Sequence, residues 1–282
     1  MNAVDFAKQA NEIFVLSDSF IRIKELIDDE TSTIDDIADV ILIDPALAGT
    51  ILKLANSSFF NYPGKIDTIS KAVLVLGITE VYNLVIAYFT TDAFKAITAP
   101  SDYLEEFWEQ SVDCALLVKY LGDALKVPNA ERLFILGLLH NLGELIVKQL
   151  EPAQVEACTV SEELDVMPWQ RQQDVLGFTF GDCSAELLKQ WQLPYSLIEP
   201  IRNQDDNDLE DVSQESSLLY IAKRVMLNSS QFPRKSLESF ITPEQLEHFD
   251  VESNLVRSAV NYCDMERLGV LSVLKPSSVM IY

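Results

Sequence analysis

Between Thr33 and Leu76 the sequence writes three successive helices with their start signals attached. Thr33-Ile-Asp-Asp36 resembles a capping box in which Asp stands for the usual Glu or Gln, and Ile34, Ile37, Ala38 and Ile41 follow at helical spacing. Asp44-Pro45 supplies an N-cap and a first-turn proline to the next helix, whose buried stripe is Leu47, Ile51, Leu54 and Ala55 and whose end falls near Asn56. After the loop signal Asn61-Tyr-Pro-Gly64, Thr68 can cap a third helix that Gly77 closes, because glycine tolerates a left-handed C-terminal position. The helix beyond Gly77 is apolar on all sides, which places it at the centre of an N-terminal helical bundle.

Ala99-Pro100-Ser101-Asp102 breaks the pattern, and longer amphipathic helices follow at about 102 to 126, 130 to 150 and 181 to 191. The expected division is therefore an N-terminal bundle over 1–99 and a second helical part with a C-terminal extension over 100–282. Gln204 to Ser216 is an acidic run without apolar anchors and reads as an exposed loop, with helical periodicity returning at Leu218-Leu-Tyr-Ile-Ala222. Hairpin dipeptides and sustained apolar–polar alternation are both missing, so the fold class is all-α.

Composition narrows the function. A formal charge of -23, from 44 acidic and 21 basic residues, repels phosphate backbones and anionic lipid surfaces, so neither nucleic acid nor membrane is expected as a partner. The first residues lack a basic region followed by an apolar one, and the apolar segment from Ala72 to Phe89 is broken by Gly77, Glu80 and Asn83. The expected location is the cytoplasm, where Cys114, Cys158, Cys183 and Cys263, far apart in sequence, stay as free thiols. The helix pair near 34–42 and 46–55 has the outline of a helix-turn-helix, but Lys53 is its only base, so the pair is read as packing rather than DNA contact. Trp191, with Leu193-Pro194, reads as a helix-end packing anchor.

The one suggestion of chemistry is GLLHNLGEL, Gly137 to Leu145, where an apolar helix presents His140 followed by Asn141. Glu144 lies four residues on and shares the helical face, giving two readings: a two-point metal ligand or acid–base pair, or a hydrogen bond that orients a half-buried ring. The second is preferred, because only His140 and His248 exist in the chain and two imidazoles cannot furnish a hydrolytic His/Asp metal centre. Asp206-Asn-Asp-Leu-Glu210 lacks the turn glycine of a calcium loop. Gly137 and Gly143 are read as sites of close helix packing.

Four segments then carry a resemblance: LIDDETSTIDDIADVILIDPALAGTILKLANSSFF, ISKAVLVLGITEVYN, GLLHNLGEL and LGFTFGDCSAELLKQWQLP. In this order, over roughly Phe14 to Lys223, they resemble the HDOD family, bacterial signalling modules related to the HD phosphohydrolases. The resemblance implies a degenerate HD-like domain. The positions that carry metal ligands in catalytic relatives match Gln110, the doublet His140-Asn141, Phe180, the pair Asn203 and Gln204, and, least securely, Lys223. Of these only His140 keeps a ligand's chemistry.

The resemblance thus implies a non-catalytic regulatory protein without a cofactor, acting on signalling proteins such as a sensor kinase, a response regulator or a cyclic-dinucleotide enzyme. Two alternatives stay open: a residual metal-dependent phosphohydrolase using His140, Glu144 and nearby carboxylates, and a metal-free nucleotide sensor in a pocket lined by Gln110, His140, Asn141 and Asn203.

Overall fold

The computed structural model describes residues 1–57, 62–128, 130–160, 166–206 and 212–274. The described residues form helices and contain no strand: α1 Ala3–Ile13, α2 Asp18–Asp28, α3 Ile34–Ile43, α4 Pro45–Ala55, α5 Ile69–Leu76, α6 Ile78–Ala93, α7 Ser101–Ala124 and α8 Glu131–Leu139. There follow α9 Leu142–Leu150, α10 Pro152–Cys158, α11 Pro168–Leu176, α12 Phe180–Gln190, α13 Tyr195–Asn203, α14 Gln214–Ser230, α15 Pro243–His248 and α16 Ser253–Leu274. The all-α expectation holds.

Two compact units emerge, one of Met1–Ile13 with Ile97–Met265, the other of Phe14–Ala96 with Glu266–Tyr282. The change of unit near Ile97 lies close to the break read at 99, whereas α1 groups with the C-terminal unit rather than with the bundle that follows it.

The smaller unit is assembled by the local signals read above. Thr33 and Asp36 form the reciprocal capping box of α3, and Asp44 accepts from the Ala46 and Leu47 amides at the start of α4. Thr68 caps α5, and Gly77, at φ +92°, lets α6 leave α5 at 119°. That sharp bend is why α6 can bury residues around its whole circumference, from Val81 to Thr91, while α5 stays peripheral.

In the larger unit α7 packs on α8 and α14, and α12 packs on α1, α9 and α13. The sequence reading of one helix over 130–150 is corrected here: the helix breaks at His140-Asn141, and only Leu142 resumes it. Arg132–Leu150 meets the length and apolarity of a membrane span, yet 72% of its window is buried within the protein, as in a core helix. The four cysteines are free and buried, and Trp191 is buried at the end of α12, as expected.

Candidate functional site

The break between α8 and α9 builds the site. Interrupting the helix frees the His140 carbonyl from its intrahelical partner, and the Gln204 side chain, 0% exposed, replaces that partner with Nε2 donating at 2.8 Å. The same Nε2 also donates to the Ile201 carbonyl at 2.8 Å, so the end of α13 is bound to the break. On the other side, the Gly143 amide donates to Ser184 Oγ, which donates to the Phe180 carbonyl, each at 2.8 Å. Thr179 and Asp182 cap α12 reciprocally, so Phe180 sits at its first turn, where its own amide donates to Gln172 Oε1 at 2.9 Å.

His140 itself is 1% exposed. Its Nδ1 lies 2.7 Å from the Gly137 carbonyl, which can only accept, so Nδ1 carries the hydrogen and Nε2 is left as a lone-pair acceptor. Nε2 has no partner. Burial, with the nearby Lys223 ammonium as a second cause, pushes the imidazole down from 6.5 to about 3, and the ring is neutral.

The two sequence readings of His140 and Glu144 are both revised. No hydrogen bond joins them, and the ring is fully buried, oriented by a backbone carbonyl of its own helix. Glu144 instead accepts from Tyr103 Oη and from Asn141 Nδ2, each at 2.6 Å. Both still line one cavity, but the ring is held by the Gly137 carbonyl and the carboxylate by Tyr103 and Asn141. Burial pushes the Glu144 carboxyl above its usual range, against the two hydrogen bonds that favour its charged form.

Tyr103, Glu106, Phe107, Gln110, His140, Asn141, Glu144, Gln172, Phe180 and Lys223 border a cavity of about 490 Å³, closed further by α14 residues including Met226, Leu227 and Ser230. Six of the eight sequence candidates are thus brought together. Asn203 and Gln204 are not among the described lining residues: Asn203 donates to Glu199 on its own helix, and Gln204 is spent on the backbone of the break.

Lys223 meets a partner that its sequence surroundings do not announce. Nζ donates to both oxygens of Asp205, at 2.8 and 2.7 Å, with the two side chains 5% and 7% exposed. The exposed-loop reading of 204–216 is corrected at both ends accordingly. Gln204 and Ser216 are buried, Asp205 is paired, Ser213 caps α14, and Glu215 pairs with Arg132; positions 207–211, with the Asp206–Glu210 segment beyond its first residue, lie outside the described residues. Next along α14, the guanidinium of Arg224 stacks between Tyr220, 3.2 Å from the ring centroid, and Trp169, at 4.2 Å. Its Nη1 donates to the Gln204 and Tyr220 carbonyls.

The donor set does not fit a hydrolytic metal. The centre carries an ammonium and a phenyl ring, the Gln204 amide is turned to backbone, and no group of three His, Cys, Asp or Glu side chains among the described residues could hold an ion. Sequence reasoning did not single out Tyr103, Glu106, Gln172 or Asp205. Asp205 was the one within reach, because it directly follows two candidate positions.

The site is thus an imidazole at a helix break, lining a cavity in an all-α unit. The chain matches the HDOD domain over residues 13–207. A solved HDOD domain protein from Geobacter sulfurreducens superposes with a TM-score of 0.71 at 20% identity, covering 96% of this chain and 97% of that one. A structure from Shewanella amazonensis SB2B, named as a phosphohydrolase, gives 0.73 at 21% identity over 96% and 98%. A third, from Marinobacter aquaeolei VT8 and named for signal transduction, gives 0.67 at 22% over 92% and 58%. An uncharacterized protein of Treponema pallidum (strain Nichols) is 26% identical over 205 residues, 71% of this chain, and this chain spans only 39% of its length. The chain belongs to the HDOD family.

The pH dependence of stability follows from His140. Its folded-state value lies below its unfolded one, so between about 6.5 and 3 the unfolded chain binds the extra proton and stability is lost as pH falls. The slope approaches about 1.4 kcal/mol per pH unit within that window. Glu144, raised in the folded state, acts in the opposite sense, since there the folded chain holds the proton. Urea unfolding of wild type and His140→Gln between pH 4 and 7 checks this: the stability difference between them is expected to shrink on acidification, and parallel curves would refute the buried neutral imidazole.

Proposed function

We propose that this HDOD chain is a non-catalytic signalling protein that works through protein–protein interaction in bacterial signal transduction. The observation that carries the reading is the buried Lys223–Asp205 ion pair bordering the cavity, an ammonium where a divalent cation would need anionic donors. The name of the Marinobacter structure, a signal transduction protein, accords with it. A sensor kinase, a response regulator or a cyclic-dinucleotide enzyme of the cytoplasm is the proposed partner, and the charge of -23 argues against nucleic acid or an anionic membrane surface.

The test is capture by cross-linking followed by reconstitution. A signalling protein that re-forms a complex from purified components is the expected result; recovery of none, with signalling outputs unchanged on deletion, would overturn the proposal. Elemental analysis addresses the enzyme reading separately. Protein purified without added metal is expected to carry far less than one divalent ion per chain and to show no phosphoester turnover that disappears in His140→Ala.

A further inference from the structure

The cavity joins apolar walls to a polar border. Phe107, Phe180, Met226, Leu227 and Phe232 supply flat and flexible apolar walls, and about 490 Å³ is the size of a small-molecule site. At its border His140, 1% exposed, keeps an acceptor nitrogen without a partner, an arrangement that costs free energy until some donor meets it. Lys223 offers the complementary donor, since Asp205 occupies two of the three ammonium directions.

The charges decide what kind of molecule these groups suit. Lys223 is the cation among the described lining residues, and Asp205 already neutralises it. Glu106 and Glu144 line the same cavity. An incoming phosphate or carboxylate would meet two carboxyl groups and no uncompensated cation, so the site disfavours anions. A flat, uncharged ring compound carrying a donor beside an acceptor satisfies His140 and Lys223 together and stacks on the phenyl walls.

We infer that the cavity between α7, the α8–α9 break, α12 and α14 is a metal-free binding site for a small neutral heterocycle of nucleobase or nucleoside type, read by His140 Nε2 and Lys223 Nζ. This narrows the sensor alternative from nucleotides to their uncharged counterparts, and it stands independently of which protein partner the chain has. Nε2 is shielded in this conformation, so seating a donor on it requires a lining side chain to withdraw. Met226, a flexible lining residue without a charge to hold it, is suited to that movement, while Lys223 stays fixed on Asp205. Occupancy therefore changes the packing of α14, a means of passing a signal to the rest of the unit.

The experiment is a thermal-shift and calorimetric comparison of the full chain with adenine, guanine, cytosine, uracil, their nucleosides and their 5′-monophosphates. At least one neutral compound is expected to raise Tm and bind one per chain, with its monophosphate at least tenfold weaker. His140→Phe, which keeps a ring but no acceptor, is expected to weaken that binding at least tenfold. Ser230→Phe, at the cavity border and away from the break, blocks the cavity and is expected to do the same should His140→Phe fold poorly. No stabilisation by any neutral compound, monophosphates binding as well as nucleosides, or binding indifferent to a folded variant would each overturn the inference. Failure here leaves the partner-capture result untouched, so the two readings fall separately.

Discussion

Asp205→Asn is expected to destabilise the protein by about 3–5 kcal/mol, the usual cost of stranding one member of a buried ion pair. The partners are 5% and 7% exposed, so water cannot take over the lost charge, and Arg224 adds a second buried cation nearby that Asp205 also serves. Lys223→Met should cost roughly half as much. The remaining Asp205 keeps the field of Arg224, and methionine fills the volume without a charge. The double variant Asp205→Leu with Lys223→Met should be more stable than Asp205→Asn alone, because replacing a whole buried pair removes two desolvation penalties where breaking it leaves one uncompensated. Urea midpoints at constant m-value measure all of these. A cost below about 1 kcal/mol for Asp205→Asn would mean that the pair is hydrated like a surface bridge.

The second large effect concerns glycine contacts. A methyl group on Gly143 would lie 2.1 Å from the Phe180 carbonyl oxygen and 2.8 Å from Cys183 Cβ, and one on Gly137 would lie 2.4 Å from Ala115 Cα. The nearest obstacles are backbone atoms, which cannot rotate aside, so α9 must part from α12, or α8 from α7. Alanine's helix propensity would favour either substitution by about 1 kcal/mol, and overpacking against backbone opposes it by about 3 kcal/mol or more, so the clash wins. Gly143→Ala and Gly137→Ala are therefore each expected to lose at least about 2 kcal/mol or to fail to fold. Gly49→Ala, with nothing within 4 Å in mid-α4, should be neutral or up to about 1 kcal/mol more stable. Thermal unfolding of the three variants decides the matter: equal behaviour of Gly49→Ala and Gly143→Ala would sink the close-packing account.

Those glycines were legible as packing sites because a glycine within an apolar helix has few other uses. Their partners were not, since Phe180 and Ala115 are separated from them by 37 and 22 residues. The same split runs through the candidate site. Five of the seven positions carried over from the resemblance, together with Glu144, border one cavity, yet the break at His140-Asn141 was invisible because the apolar period of 3.6 runs across it undisturbed. Glu144 was paired with the ring although its partners are Tyr103 and Asn141, and, with the break missed, Gln204 was placed in a pocket instead of on the carbonyl that the break exposes.

The sequence by itself determined the helical class, the caps at Thr33, Asp44 and Thr68, the helix stop at Gly77 and the poverty of metal ligands. Each of these depends on atoms a few residues apart or on which side chains exist at all. Tertiary structure alone decided that Asp205 would neutralise Lys223, that Arg224 would stack between Trp169 and Tyr220, and that the His140 ring would be neutral with one nitrogen unmet. Those outcomes follow from desolvation and from contacts between distant helices, and burial is a property of the assembled fold that no local stretch of chain contains.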